Sequence, residues 1–269
     1  MARVRLGPSA AIRAGANALS LVGREALRIV LPSWCVACRR ELPWRERTAS
    51  CCASCWAALP KITSAKCVSC ALPLAGLRVA SDELREDLHP EPSTLKCLEC
   101  LHRPALFDWC DAYGEDRGVL EKLVRALKFE RHDFLDGALA SLLEETLRER
   151  GDLAFDVLVG VPMGRAKERK RGYNQAELLA RALSRRTGIH CDMTLLTRRR
   201  ERATQSTLPK RERAANVRGA FAASSRVKGK AILVIDDICT TGETLRACAT
   251  ALVREGAARV CALTVAKAS

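Results

Sequence analysis

The sequence predicts an α/β protein whose carboxyl-terminal part is a doubly wound parallel sheet, preceded by a small cysteine-rich module. Two observations predict it. From about residue 108 onward, short continuous apolar runs alternate with stretches whose apolar residues recur at helical spacing. Before that point, the chain holds four C-x-x-C pairs within 66 residues. The full length of 269 residues accommodates one large domain and a smaller module. The expected division is a terminal segment over 1–31, the cysteine module over 32–106 and the α/β domain over 107–269.

The elements follow in order. A short strand is expected at 108–113. Residues 119–129 repeat Leu120, Leu123, Val124 and Leu127 at helical spacing, with Lys122, Arg125 and Lys128 on the other side. A second helix fits 135–150. Residues 155–161 are continuously apolar, as in a strand buried on both faces. A basic loop is expected over 163–172, then a helix over 174–186. A second buried strand covers 231–235 after a Gly-Lys turn. The helix over 243–255 stops at Gly256, a suitable cap. Another apolar strand at 259–266 closes the domain. Ligands on such sheets bind at the carboxyl ends of the strands.

Composition removes several classes. No run of about 18 apolar residues occurs, so no transmembrane helix and no membrane insertion is expected. Charged residues at 28% beside a 48% hydrophobic fraction argue for a folded chain. Aromatics are only 4%, so aliphatic side chains must build the core. The Arg- and Ala-rich residues 1–31 lack the compact apolar stretch of a signal peptide and read as an amphipathic helix or flexible segment, which points to a cytoplasmic protein.

Charge is concentrated. The net charge is +14, and residues 161–230 alone hold 19 basic and five acidic groups, also net +14. So dense an excess calls for an anionic partner, either a phosphorylated small molecule or a nucleic-acid backbone. Charge does not choose between them.

Eight of the 14 cysteines form the pairs Cys35/Cys38, Cys52/Cys55, Cys67/Cys70 and Cys97/Cys100. A C-x-x-C turn places two sulfurs on one tetrahedral edge of a zinc ion, and a second pair closes the site. Two structural zinc ions are expected. Sequential pairing is the simpler assignment, and interleaved pairing also fits the spacing. With eight thiolates and two Zn²⁺, residues 1–100 fall from net +5 to about +1, so this module is not the main polyanion surface. Cys51 is a spare or alternative ligand. Residues 71–96 read as a loop insertion carrying an acidic run at Asp82, Glu83, Glu86 and Asp87.

The strongest motif spans 232–244. An apolar strand runs into Asp236 and Asp237, then Thr240, Thr241, Gly242, Glu243 and Thr244 open a helix. A helix start offers unpaired N–H groups to a phosphate. The threonines can donate hydroxyl hydrogen bonds, and Gly242 permits close backbone approach. Two carboxylates would repel a phosphate, so they suit sugar hydroxyls and a nearby metal ion.

This segment resembles the phosphoribosyl-pyrophosphate motif of type I phosphoribosyltransferases. The resemblance implies Asp236 and Asp237 on the ribose hydroxyls and residues 240–244 around the 5′-phosphate. A second stretch, Arg171-Gly172-Tyr173-Asn174-Gln175-Ala176 and onward, looks like the R-G-[YF]-N-Q-A signature of ComF-type competence proteins. The triplet Leu127-Lys128-Phe129 and the block over 198–221, with Thr204, Gln205, Leu208, Arg213 and Asn216, resemble the same family. The resemblance spans about 32–266 and implies a type I phosphoribosyltransferase fold behind a double zinc ribbon.

The basic residues then acquire roles. Arg165, Lys167 and Arg171 follow a strand end and suit pyrophosphate, as the pyrophosphate loop does in the transferases. Arg198, Arg199, Arg200, Arg202, Lys210, Arg211 and Arg213 suit a mobile flap over the site. With Arg169 and Lys170 they are also the candidates for nucleic-acid contact. The resemblance implies a role in natural transformation, handling incoming single-stranded DNA beside an uptake helicase or other competence proteins. Residues 161–230 hold only Tyr173 and Phe221 as aromatics, so DNA binding should be weakly specific and salt-sensitive. The alternative is an Mg²⁺-dependent phosphoribosyltransferase that displaces pyrophosphate at the anomeric carbon in favour of an acceptor the sequence does not name. No residue presents itself as the acceptor's base: His190 reads as structural, and Cys239 has no histidine partner.

Overall fold

A computed structural model describes residues 34–43, 50–74, 95–102, 106–130, 133–199 and 219–268. The terminal segment 1–31 and most of the acidic insertion lie outside the described residues, as do the flap candidates Arg200, Arg202, Lys210, Arg211 and Arg213. The chain divides into two compact units, Met1–Ala58 and Leu59–Ser269.

In the first unit, Trp34 and Glu41 form an antiparallel bridge around the Cys35/Cys38 turn, and α1 (Ala53–Ala57) follows Cys52. The second unit opens with the Cys67/Cys70 turn and α2 (Leu98–His102). Its sheet contains β1 (Trp109–Glu115), β2 (Val157–Gly160), β5 (Ala231–Cys239) and β6 (Arg259–Lys267), all parallel, in the order β1-β6-β5-β2. Helices connect the strands: α3 (Gly118–Phe129), α4 (Asp136–Arg150), α5 (Arg165–Arg171), α6 (Gln175–Thr187) and α7 (Glu243–Arg254). A separate ribbon pairs β3 (Leu196–Arg198) with antiparallel β4 (Phe221–Ala223).

The core follows the period of each element. Ile232 and Val234 of β5 pack with Leu245, Cys248, Ala249 and Leu252 of α7. Leu233 and Ile235 alternate to the opposite face and are fully buried there. Helix α4 packs on β1, β6 and α6, and α6 packs on β2 and β5. Leu120, Leu123, Val124 and Leu127 form the buried stripe of α3. Each such side chain contributes about 2 kcal/mol of burial. Cys110, Cys248 and Cys261 are buried among apolar neighbours.

Two expectations change, and one element is new. Residues 165–171, expected as part of a loop, form the helix α5. Arg, Lys, Glu and Ala are all good helix formers, and no glycine or proline interrupts them. Strand β5 extends to Cys239 instead of ending at Ile235, because β6 continues to pair with it through Cys239↔Lys267. The β3–β4 ribbon has no counterpart in the periodicity, since three-residue strands are too short to display one.

Candidate functional site

Extension of β5 puts both carboxylates inside a strand. Successive side chains therefore leave opposite faces of the sheet. Asp237 is buried at 3% exposure, and Lys128 from the end of α3 reaches it, Nζ to Oδ1 at 3.0 Å. Its Oδ2 is buried with no hydrogen-bond partner among the described residues. Asp236 is half-buried, and its Oδ1 accepts from the Asp237 N–H at 2.9 Å. Burial, and then the charge of Asp237, push the Asp236 carboxyl well above the usual carboxylate range. The orphaned acceptor on Asp237 fits a hydroxyl or hydrated-cation partner from outside the chain.

After Cys239 the chain turns through Thr240 and Thr241, both exposed, into α7. Gly242 stands at the helix start with φ of 76°, which favours glycine. No side chain caps the helix, and the Glu243 N–H lies 3.5 Å from Thr241 Oγ1. The turn thus presents hydroxyls and first-turn amides, the donor set that suits a phosphate. Buried Lys267 holds the turn from behind, donating to the Thr240 carbonyl at 2.5 Å.

A cavity of about 270 Å³ brings Asp236 and Asp237 together with Lys128, Lys167, Arg171 and Arg198. Thr240, Thr241, Gly242, Glu243 and Thr244 are not among its lining residues. Arg165, Arg169, Arg198 and Arg199 line a second cavity of about 510 Å³ with Met163, Gly164 and Ala166. Lys170 is exposed on α5.

The residues around Arg171 explain how the basic helix is held. The Asn174 side chain accepts from the Ala176 N–H at 3.1 Å, capping α6, and donates to the Val161 carbonyl at 3.0 Å. It thereby ties the end of β2 to α6. Tyr173 donates its hydroxyl to the Leu127 carbonyl at 2.5 Å, fastening the end of α3. Arg171 donates to Gln175 Oε1 at 2.5 Å and lies 5.1 Å from the Phe129 ring centroid. Two residues at this site escaped the sequence reading: Lys128, which pairs with Asp237, and Phe129, which is 69% exposed at the cavity wall. The Leu127-Lys128-Phe129 triplet was the available signal.

The cysteines resolve into sequential sets. Cys35, Cys38, Cys52 and Cys55 form one cluster and Cys67, Cys70, Cys97 and Cys100 the other, with all four sulfurs of each within 4.8 Å of one another. Cys38 to Cys52 and Cys70 to Cys97 both measure 3.8 Å, Sγ to Sγ. A tetrahedral zinc site with 2.3 Å bonds has sulfur–sulfur edges of about 3.8 Å, so both clusters fit zinc. Cys51 lies 3.6 Å from Cys35, Sγ to Sγ, but outside the set of four.

Comparison with known proteins agrees with both parts. Residues 134–269 match the phosphoribosyl transferase domain family, and residues 26–101 match the double zinc ribbon domain family. Fold and site together define a protein with a type I phosphoribosyltransferase fold behind an N-terminal double zinc ribbon. The chain is 32% identical over 236 residues to DNA utilization protein YhgH of Salmonella typhimurium, covering 86% of this chain and 96% of that one. Competence protein F of Haemophilus influenzae is 29% identical over 156 residues, covering 55% and 68% respectively. Competence protein ComFC of Bacillus subtilis is 35% identical over 102 residues, covering 38% and 40%. The chain belongs to the ComF family. No helix among the described residues is long and apolar enough to cross a membrane.

Proposed function

We propose that the β5–α7 turn and the Asp236/Asp237 pair bind phosphoribosyl pyrophosphate with Mg²⁺, and that the adjoining basic surface holds single-stranded DNA during natural competence. One observation carries the reading: the acidic pair of β5 shares a cavity with Lys167 and Arg171 at the carboxyl ends of two neighbouring strands. Asp236 and Asp237 accept from ribose hydroxyls, the α7 amides and threonines hold the 5′-phosphate, and the cations of α5 face the pyrophosphate. Mg²⁺ supplies charge neutralisation between carboxylates and pyrophosphate when bound.

The DNA part draws on relatives named for DNA utilization and competence, and on the charge of α5. Arg165, Lys167, Arg169, Lys170 and Arg171 lie within seven residues beside Arg198 and Arg199. Exposed Phe129 adds an aromatic to this surface from outside the basic segment. A base can stack there while the backbone follows the cations. The cytoplasm is the compartment this role requires, with an uptake helicase or another competence protein as partner. Residues 32–106 then serve as the ribbon module and 107–269 as the ligand-binding domain.

Fluorescence anisotropy of a labelled single-stranded oligonucleotide at several salt concentrations, with and without phosphoribosyl pyrophosphate and Mg²⁺, tests this. The expected result is binding that weakens steeply with salt, at a slope of about −0.7 per phosphate contacted. Competition by the small ligand would lay the strand over the crevice. No binding at low salt would overturn the DNA role and leave the transferase reading.

A further inference from the structure

We infer that the second cysteine cluster braces the phosphate turn, and that Arg246 is the positioning residue through which it does so. This rests on the ligand reading of the β5–α7 turn.

The contact is direct. Arg246 lies in the first turn of α7, where its backbone N–H bonds to the Gly242 carbonyl at 2.9 Å. Its guanidinium donates from Nη2 to Cys100 Sγ at 3.0 Å. Four thiolates on one Zn²⁺ leave net negative charge on the sulfurs, which a guanidinium N–H is well suited to meet. Cys239, the last residue of β5, makes the second contact, with its Sγ donating to the Cys70 carbonyl at 3.5 Å. The turn between them is therefore attached to the cluster at both of its ends.

The cluster itself is anchored. Cys110 of β1 donates its N–H to the Val68 carbonyl at 2.7 Å, and the Ile62 N–H bonds to the Tyr113 carbonyl at 3.0 Å. Lys66 pairs with buried Asp111. Backbone approach is so close at Gly114 that a Cβ there would stand 2.5 Å from the Pro60 carbonyl oxygen. A side chain at that position would force the segment off the strand edge. A cluster seated this firmly can transmit its own order to the turn it touches.

Hydrogen–deuterium exchange of the full-length protein over 239–246 tests the brace without any need for ligand binding. Arg246→Gln, Arg246→Lys and zinc-stripped wild type are compared with zinc-loaded wild type. Arg246→Gln should exchange faster at 240–244 and lose one of two zinc ions to a competing chelator at least tenfold faster, in line with the usual effect of removing a partner of a metal ligand. Arg246→Lys should recover part of both. Unchanged exchange at 240–244 in Arg246→Gln and in stripped protein would overturn the inference. Calorimetry with phosphoribosyl pyrophosphate and Mg²⁺ on the same proteins separates the two claims. Wild type that binds no ligand yet shows the exchange effect would remove the ligand reading and keep the brace.

Discussion

Lys128 and Asp237 meet at 3.0 Å across a gap of more than a hundred residues in the chain. One ends α3 and the other lies inside β5 at the edge of the 270 Å³ cavity. The ammonium neutralises a carboxylate that is almost wholly buried, so the pair links the stability of the sheet to the composition of the site.

Lys128→Met tests that link. It leaves Asp237 buried without its cation, and unfolding free energy should fall by about 3 kcal/mol in urea denaturation. Lys128→Met with Asp237→Asn should recover most of that loss. A double variant no more stable than the single one would show that the pair is not the source.

Asp236 carries a pH signature. Its folded-state carboxyl is raised, so the folded state holds its proton more tightly than the unfolded state does. The stability it contributes is present below the ordinary carboxylate range and is lost as pH rises through that range toward the raised value. Asp236→Asn removes this loss and keeps an oxygen for the Asp237 N–H. The variant should melt higher than wild type at pH 7.5 and about level with it at pH 4, while its affinity for phosphoribosyl pyrophosphate falls. An equal difference in melting temperature at both pH values would refute the assignment.

Phe129 and Lys170 should separate two modes of DNA contact. Phe129→Ala should weaken binding by about 1–3 kcal/mol with little change in salt slope, the mark of lost stacking. Lys170→Ala should flatten the slope by about 0.7, the mark of one lost phosphate contact. Anisotropy titrations at three salt concentrations read both quantities, and equal slope changes in the two variants would speak against stacking at Phe129.

Metal analysis should find two zinc ions per chain. Cys38→Ser and Cys100→Ser should each lose one, since they fall in different clusters. Because metal binding is folding energy in such ribbons, each loss should expose its own segment to proteolysis. Retention of both ions in either variant, by native mass spectrometry, would refute the two-cluster assignment.

Asn174→Ala should cost about 1 kcal/mol from the lost cap of α6. It should also reduce ligand affinity, since the same side chain ties the end of β2 to that helix. Thermal melts and calorimetry on one preparation check both effects. A stability loss with no change in affinity would confine Asn174 to capping.

Much of this site was legible in advance because its signals are local. Asp236 and Asp237 follow an apolar run, and the Thr-rich turn precedes a helix, all within 13 consecutive residues. Backbone chemistry acts over that distance, so the pattern is written in order. Lys128 falls on the polar side of an amphipathic helix, and Phe129 enters the sequence pattern only as part of the Leu127-Lys128-Phe129 triplet. Nothing in their neighbours announces that Tyr173 fastens this helix end to the crevice.

The residue order by itself determined the spacing of the thiol pairs, the buried runs that become parallel strands and the hydroxyl-rich turn before α7. Each depends on interactions over a few residues, where periodicity and ligand spacing act directly. Only the tertiary structure decided that the thiol pairs close sequentially, that Lys128 meets Asp237 and that Arg246 bonds to Cys100. Arg246 and Cys100 lie 146 residues apart. Contacts at that range are selected by how whole faces pack, and no local pattern encodes them.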